Sequence, residues 1–285
     1  METMIITDPK PWERLANKAQ APLQQRWLYG DAVTRIGRDV LRLAVVHQGE
    51  PVAIAQIVQR KIKGIEVSLI SRGPVFLQNS LSCEVLHSVR ATLKTASLKL
   101  MSPDTKLRRL SFSPTPKICE LDLSLDLQDL RAAQHAKWRN ALKKAEGTRL
   151  KVVQITATPA ALTPLLQVEK QRQSQGRYRG LPPEFTLSIQ DVAPKSLLLL
   201  TASDAQMLFI RHGNSASYHM GQNGPDGRML NAHNLILWDA IKRLQKLGVT
   251  RLDLGTIDPK RAHDLARFKQ RCGAQTRQIG PAQLL

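Results

Sequence analysis

Three consecutive segments of period-two hydrophobicity, the first two joined by a tight turn, constrain this chain more than anything else in it. Residues 40–46 and 52–60 alternate on either side of His47-Gln-Gly-Glu50, whose glycine suits a hairpin turn, and so predict an antiparallel pair. Residues 66–70 predict a third strand, stopped at Ser71-Arg-Gly-Pro74 by adjacent glycine and proline. A helix or two fits 11–30, with breaks at Pro22 and Gly30. Apolar Val85, Val89, Leu93 and Ala96 predict a helix over 82–100, followed by strands over 107–112 and 118–123. Helices around mostly antiparallel strands make an α+β unit.

The second half repeats this order of elements loosely. A length of 285 residues suits two units, drawn here at 1–135 and 136–285, with room for the last residues, 277–285, to return to the first. Over 136–146 Trp138, Ala141, Leu142 and Ala145 share one helical face while Lys137, Lys143 and Lys144 lie opposite, and Gly147 suits the C′ position. A strand over 151–155, a helix over 163–173 begun by Thr-Pro and a basic loop over 175–183 come next. Strands are expected over 196–202, 206–211 and 215–220, then a surface loop over 222–228. The clearest helix starts at Asn231 as N-cap, buries Leu237, Ile241 and Leu244, and ends at Gly248. A strand over 250–254 and a short basic helix around 265–269, closed by Gly273, complete the chain.

Charge narrows the partners. Lys and Arg number 42 against 23 Asp and Glu, a net +19, and such a field attracts polyanions and anionic membrane surfaces. Acids interrupt every basic stretch, unlike the Lys/Arg blocks of ribosomal or DNA-binding tails. Cys83, Cys119 and Cys272 are odd in number and lack ligand spacing, which argues against a disulfide scaffold and against zinc. Acid and proline near the N-terminus do not fit a signal peptide, and no apolar stretch approaches membrane-spanning length. The expectation is a cytoplasmic protein, with room for peripheral contact at the inner face of the membrane.

Five C-terminal segments occur in a telling order: Ala216-Ser-Tyr-His219, Asn234-Leu-Ile-Leu-Trp-Asp-Ala-Ile241, Gly248-Val-Thr-Arg-Leu-Asp-Leu-Gly255, Leu265-Ala-Arg-Phe-Lys269 and Cys272-Gly273. With Val52-Ala-Ile-Ala-Gln56, Ser71-Arg-Gly-Pro74 and the helix at 137–145, they resemble the Fem family of peptidoglycan-bridge aminoacyltransferases along nearly the whole chain. That resemblance implies an α+β fold of two GNAT-like subdomains, each a mixed, mostly antiparallel sheet flanked by helices. It implies a transferase that moves an amino acid from aminoacyl-tRNA to an amine of a nucleotide- or lipid-linked peptidoglycan precursor, with no further cofactor and no metal.

Two alternatives stay open. Family members with a long helical hairpin in the second half use it to hold tRNA, and here 206–220 and the next helix are contiguous, so acyl-CoA acting on a small-molecule or protein amine competes as donor. Against CoA, the segment Gly221-Gln-Asn-Gly-Pro-Asp-Gly-Arg228 carries an acid and a proline where pyrophosphate would need free backbone amides. A tRNA- or RNA-binding protein without activity also fits +19.

Candidate residues follow from the resemblance and the chemistry. Lys269, matching the family's Phe-Lys pair, would stabilise the charge that develops on a carbonyl oxygen during acyl transfer. His219 or Asp253 would accept the proton of the attacking amine. Arg72, together with Arg177, Tyr178 and Arg179 in the basic loop, would hold phosphate, and Tyr218 and Phe268 would line the substrate site. Each has a plainer alternative: Lys269 as decoration of a basic helix, Phe268 as core, the arginines as solvated loop, His219 as a satisfied core histidine, Asp253 as a carboxylate that structures the following loop. Tyr218 and His219 are adjacent in a strand, so at most one of them faces the site.

Overall fold

A computed structural model describes the backbone of the whole chain apart from residues 108–110, 112 and 176–179, and all other side chains except that at 79. It divides into two compact units, Met1–Pro116 with Gln278–Leu285, and Lys117–Arg277.

The first unit runs β1 (Glu2–Ile5), α1 (Pro9–Lys18), α2 (Trp27–Arg35), β2 (Asp39–His47), β3 (Glu50–Ile62), β4 (Ile65–Ser71), β5 (Val75–Phe76), α3 (Ser82–Thr92) and β6 (Leu98–Ser102). Gln48 and Gly49, at φ 52 and 81, close the predicted β2–β3 hairpin, and Lys63 and Gly64, at φ 49 and 83, close β3–β4. Paired positive φ values make the two-residue turns whose twist matches the strands. One face of the sheet buries Leu43, Ile57, Ile70 and Met101 against Val85 and Val89 of α3. On the other, Ile54 and Ala44 pack on Trp12 and Ala16 of α1.

Two expectations for this unit fail. The helix predicted over 82–100 stops at Thr92, and Leu98–Ser102 is a strand parallel to β4. The spacing of Val85, Val89 and Leu93 fits a helix, but the β4–α3–β6 crossover brings Leu98–Ser102, beyond them, to an open edge of the sheet. Gly30 does not break α2; it lies inside it, at a position where a Cβ would overlap Arg42 Nη2 and Gln56 Oε1, so the glycine makes room for those side chains.

The second unit runs β7 (Lys117–Asp122), α4 (Leu127–Ala132), α5 (Ala136–Glu146), β8 (Val153–Ile155), α6 (Pro159–Ser174), α7 (Pro183–Val192), β9 (Leu197–Ala202), β10 (Ala205–His212), β11 (Ser215–Asn223), α8 (Pro225–Met229), α9 (Ala232–Lys246), β12 (Arg251–Ile257), α10 (His263–Arg271) and β13 (Gln275–Gln278). Its sheet has the order β13-β7-β12-β11-β10-β9-β8; from β7 to β8 the pairs are antiparallel except where β11 meets β12. Trp138 and Leu142 of α5 join Ile236, Leu237 and Ile241 of α9 in a core against Leu200, Phe209 and Leu252 of the strands.

The units part at Pro116/Lys117 rather than at 135/136, because β7 pairs antiparallel with β12 and takes residues 117–135 into the second sheet. The last strand, β14 (Gln283–Leu284), pairs with β6 of the first unit. Smaller differences have local causes. The helix expected from 163 starts at Pro159 under a cap from the Thr158 hydroxyl, which accepts from Ala161 N at 3.2 Å. Pro225 and the residues after it wind one short helix where a loop was expected. Asn231 makes no side-chain cap; it adopts φ 56, a left-handed turn between α8 and α9 that asparagine tolerates. α7 (Pro183–Val192) has no counterpart among the predicted elements.

Candidate active site

The second unit contains a local break in its sheet. β11 and β12 pair in parallel at Ser215–Arg251, Ala216–Leu252 and Ser217–Asp253, and no pair follows although both strands continue, to Asn223 and Ile257. Each strand bulges on its outer side just past that point. On β11, Leu208 faces Met220 and Phe209 faces Tyr218, leaving His219 as the extra residue. On β12 the register against β7 shifts between Asp253 and Thr256. Gly255 sits in that shift at φ 78, a conformation that strains any residue with a Cβ. Bulges bend strands and re-aim side chains, so the two neighbours part here.

Lys269 of α10 reaches the parting. Its ammonium donates to Thr256 O on β12 at 3.1 Å and lies 5.6 Å from the centre of the Tyr218 ring on β11. It is 6% exposed. Burial pushes its pKa below the ordinary lysine value, and Asp253 pulls the other way. Asp253, also buried, accepts from Gly255 N at 2.6 Å and so holds the bulge. Cys119 and Cys272 complete the surroundings; burial pushes both thiols up, Cys272 to about 12, so neither is a reactive thiolate at neutral pH.

Tyr218 is pushed up to about 12 by burial, with Arg172 opposing that shift and Glu169 adding to it, so its hydroxyl stays protonated. Both of those residues belong to α6, and Arg172 Nη1 donates to Gly221 O at 2.7 Å. Arg172 also lines a cavity of about 260 Å³ with Asp204, Asn223 and Arg228. There the backbone amides opening α8 are already engaged: Asp204 accepts from Gly227 N at 2.6 Å and from Asp226 N at 3.2 Å.

The structure therefore brings Lys269, Asp253 and Tyr218 together and directs others elsewhere. His219 Nε2 meets the Thr186 hydroxyl of α7 at 2.7 Å, its ring lies 5.9 Å from Phe185, and burial pushes its pKa down to about 4. Phe268 packs on Trp138 at 5.9 Å and on His233 at 6.2 Å, on the core side of α10. Arg72 belongs to the first unit, where it is 8% exposed and ion-paired with Asp104. Arg177, Tyr178 and Arg179 lie outside the described residues. Glu169 and Arg172 were not anticipated; the one available signal was a Glu and an Arg three apart on a helix, a pattern that surface helices share.

The sequence matches no protein-family profile and no curated protein. Solved structures do match. A FemX crystal structure superposes with a TM-score of 0.78 at 14% identity, over 99% of this chain and 96% of that one. The fold is Fem-like. Its two parts are GNAT-like subdomains: a tandem GNAT protein from the clavulanic acid biosynthesis pathway aligns over 99% of this chain and 98% of its own at a TM-score of 0.52 and 12% identity. L-PGS from Bacillus licheniformis aligns over 97% and 92% at 0.53 and 13%. In this Fem-like chain β10, β11, α8 and α9 follow one another directly, with no long helical hairpin between them.

Proposed function

We propose that the protein is a Fem-type aminoacyltransferase, forming an amide between the amino acid of an aminoacyl-tRNA and an amine of a nucleotide- or lipid-linked peptidoglycan precursor. The observation that carries the reading is the Lys269 ammonium, buried where β11 and β12 part, in a chain similar to FemX over almost its whole length.

The chemistry asks little more of the protein. The acceptor amine attacks the ester carbonyl, the C–N bond forms, and negative charge gathers on the carbonyl oxygen. Lys269 faces that charge at low local dielectric, where one fixed cation is worth most. The ester C–O bond then breaks, and the proton lost by the amine ends on the departing ribose oxygen. Asp253 positions the bulge and keeps Lys269 charged against the effect of burial. His219, bound to Thr186 and lowered to about 4, is a weak proton acceptor, so the reading rests on Lys269, Asp253 and Tyr218.

Asp204 favours tRNA over CoA. A pyrophosphate would need the amides of Asp226 and Gly227, and the Asp204 carboxylate already takes them and would repel a second anion. The deciding experiment incubates the protein with charged tRNA or with acyl-CoA, each with a nucleotide-linked peptidoglycan precursor. Amide product from aminoacyl-tRNA is expected. Product from acyl-CoA alone overturns the proposal, and so does tight, salt-sensitive RNA binding without product.

A further inference from the structure

The β3–β4 hairpin of the first unit overhangs its sheet. β2 pairs with β3 only as far as Gln59, and β6 pairs with β4 only from Val67, so residues 60–66 form a two-stranded ribbon flanked by neither strand. Such a ribbon is marginal in water unless something covers one face.

The register defines that face. Val58 opposes Leu69, Arg60 opposes Val67 and Ile62 opposes Ile65, and directly opposed residues point the same way. Leu69 continues the row to Leu100 of β6, and Leu100 to Leu284 of β14. Ile62, Ile65, Leu69 and Leu284 are 39%, 52%, 37% and 51% exposed, so four large aliphatic side chains on one side of one sheet meet solvent. Arg60, Lys61 and Lys63 surround the tip, and Glu66 is the one acid of the ribbon, 3.7 Å from Lys61.

We infer that this hairpin is a membrane-docking element: Ile62 and Ile65 enter the headgroup region of an anionic bilayer while Arg60, Lys61 and Lys63 contact lipid phosphates. Charge complementarity selects this occupant. A second copy would set the same three cations against each other, on chains that each carry +19, whereas an anionic leaflet attracts every cation near its surface. Aliphatic side chains ringed by Lys and Arg are the composition that binds such an interface. The inference is independent of the reaction assigned to the second unit.

Sedimentation of the full chain with vesicles of mixed phosphatidylglycerol and phosphatidylcholine, against phosphatidylcholine alone, tests it. Binding to the anionic vesicles is expected, with little to the zwitterionic ones. The pair Ile62→Ser and Ile65→Ser, at exposed positions, leaves the charge unchanged and should weaken that binding by about tenfold or more. The pair Lys61→Gln and Lys63→Asn should weaken it too and blunt its salt dependence. Thermal midpoints matching the parent protein confirm that these variants fold. Unchanged binding by the serine pair would mean that net charge alone drives adsorption and would overturn the inference. So would absence of binding by the parent protein, or a parent dimer that the serine pair dissociates in sedimentation velocity.

Discussion

The Lys269 ammonium lies 5.6 Å from the centre of the Tyr218 ring while donating to Thr256 O, so one side chain touches both strands just beyond their last shared pair. In the proposed reaction this cation would face the carbonyl oxygen of the ester under attack. Lys269→Ala should lower turnover by about 100-fold or more with donor affinity nearly unchanged, because the interaction is made mainly in the transition state. A loss seen chiefly as raised KM, mimicked by salt and rescued by Lys269→Arg, would make Lys269 a phosphate ligand instead.

If the proposed reaction depends on the Lys269 ammonium, alkaline pH should lower activity earlier than an ordinary lysine would. Burial lowers the Lys269 pKa, so the ammonium is lost below the usual lysine range. The stability sign is opposite: between the folded and unfolded pKa values the unfolded chain binds more protons, so this group's contribution to stability rises with pH across that window. A pH profile of kcat/KM falling on its alkaline limb while thermal stability holds is the expected signature.

His219 should make the second unit acid-sensitive. Its folded pKa of about 4 lies below the unfolded value near 6.5, so protonation favours the unfolded chain as pH falls between them. The loss approaches about 3 kcal/mol at the acid end of the window. In His219→Gln the slope of unfolding free energy against pH from 4 to 6.5 should flatten, while turnover at neutral pH stays near that of the parent.

Asp204→Ala should uncap the turn entering α8 and cost about 1 kcal/mol, seen as a fall in Tm of a few degrees. Gly227→Ala acts on the same spot from the other side, since its Cβ would crowd Asp204 Oδ1 and Asn223 Oδ1. If Asp204 is what excludes a pyrophosphate, Asp204→Ala should also gain measurable CoA affinity by calorimetry while the parent shows none.

Gly30→Ala tests the packing of the first unit. A methyl group would strike Arg42 Nη2 and Gln56 Oε1, which bond each other's side chains and, through Gln56 Nε2, the carbonyls of Gln24 and Arg26. Breaking that buried set should cost about 2 kcal/mol or more, measurable by urea unfolding.

Local rules carried the sequence reading a long way. A glycine turn with alternating flanks placed β2 and β3, and the stop at Gly73-Pro74 bounded β4; the apolar face of 136–146 gave α5; and the run ending Phe268-Lys269 marked the helix that bears the candidate cation. Each is a property of residues within one or two turns of each other. What escaped depends on contacts distant in the chain. Leu98–Ser102 became strand because β4 presented an open edge, β7 joined the second unit because β12 paired with it, and Gly30 serves not as a breaker but as the space that Arg42 and Gln56 occupy. The site follows the same division. Lys269, Tyr218 and Asp253 were named as candidates through the Fem resemblance and their side-chain chemistry, but their meeting required two bulges and a failure of strand pairing. The same packing turned His219 toward Thr186 and closed Arg72 onto Asp104, since a side chain's partner is set by which elements fold against it and not by its neighbours in sequence.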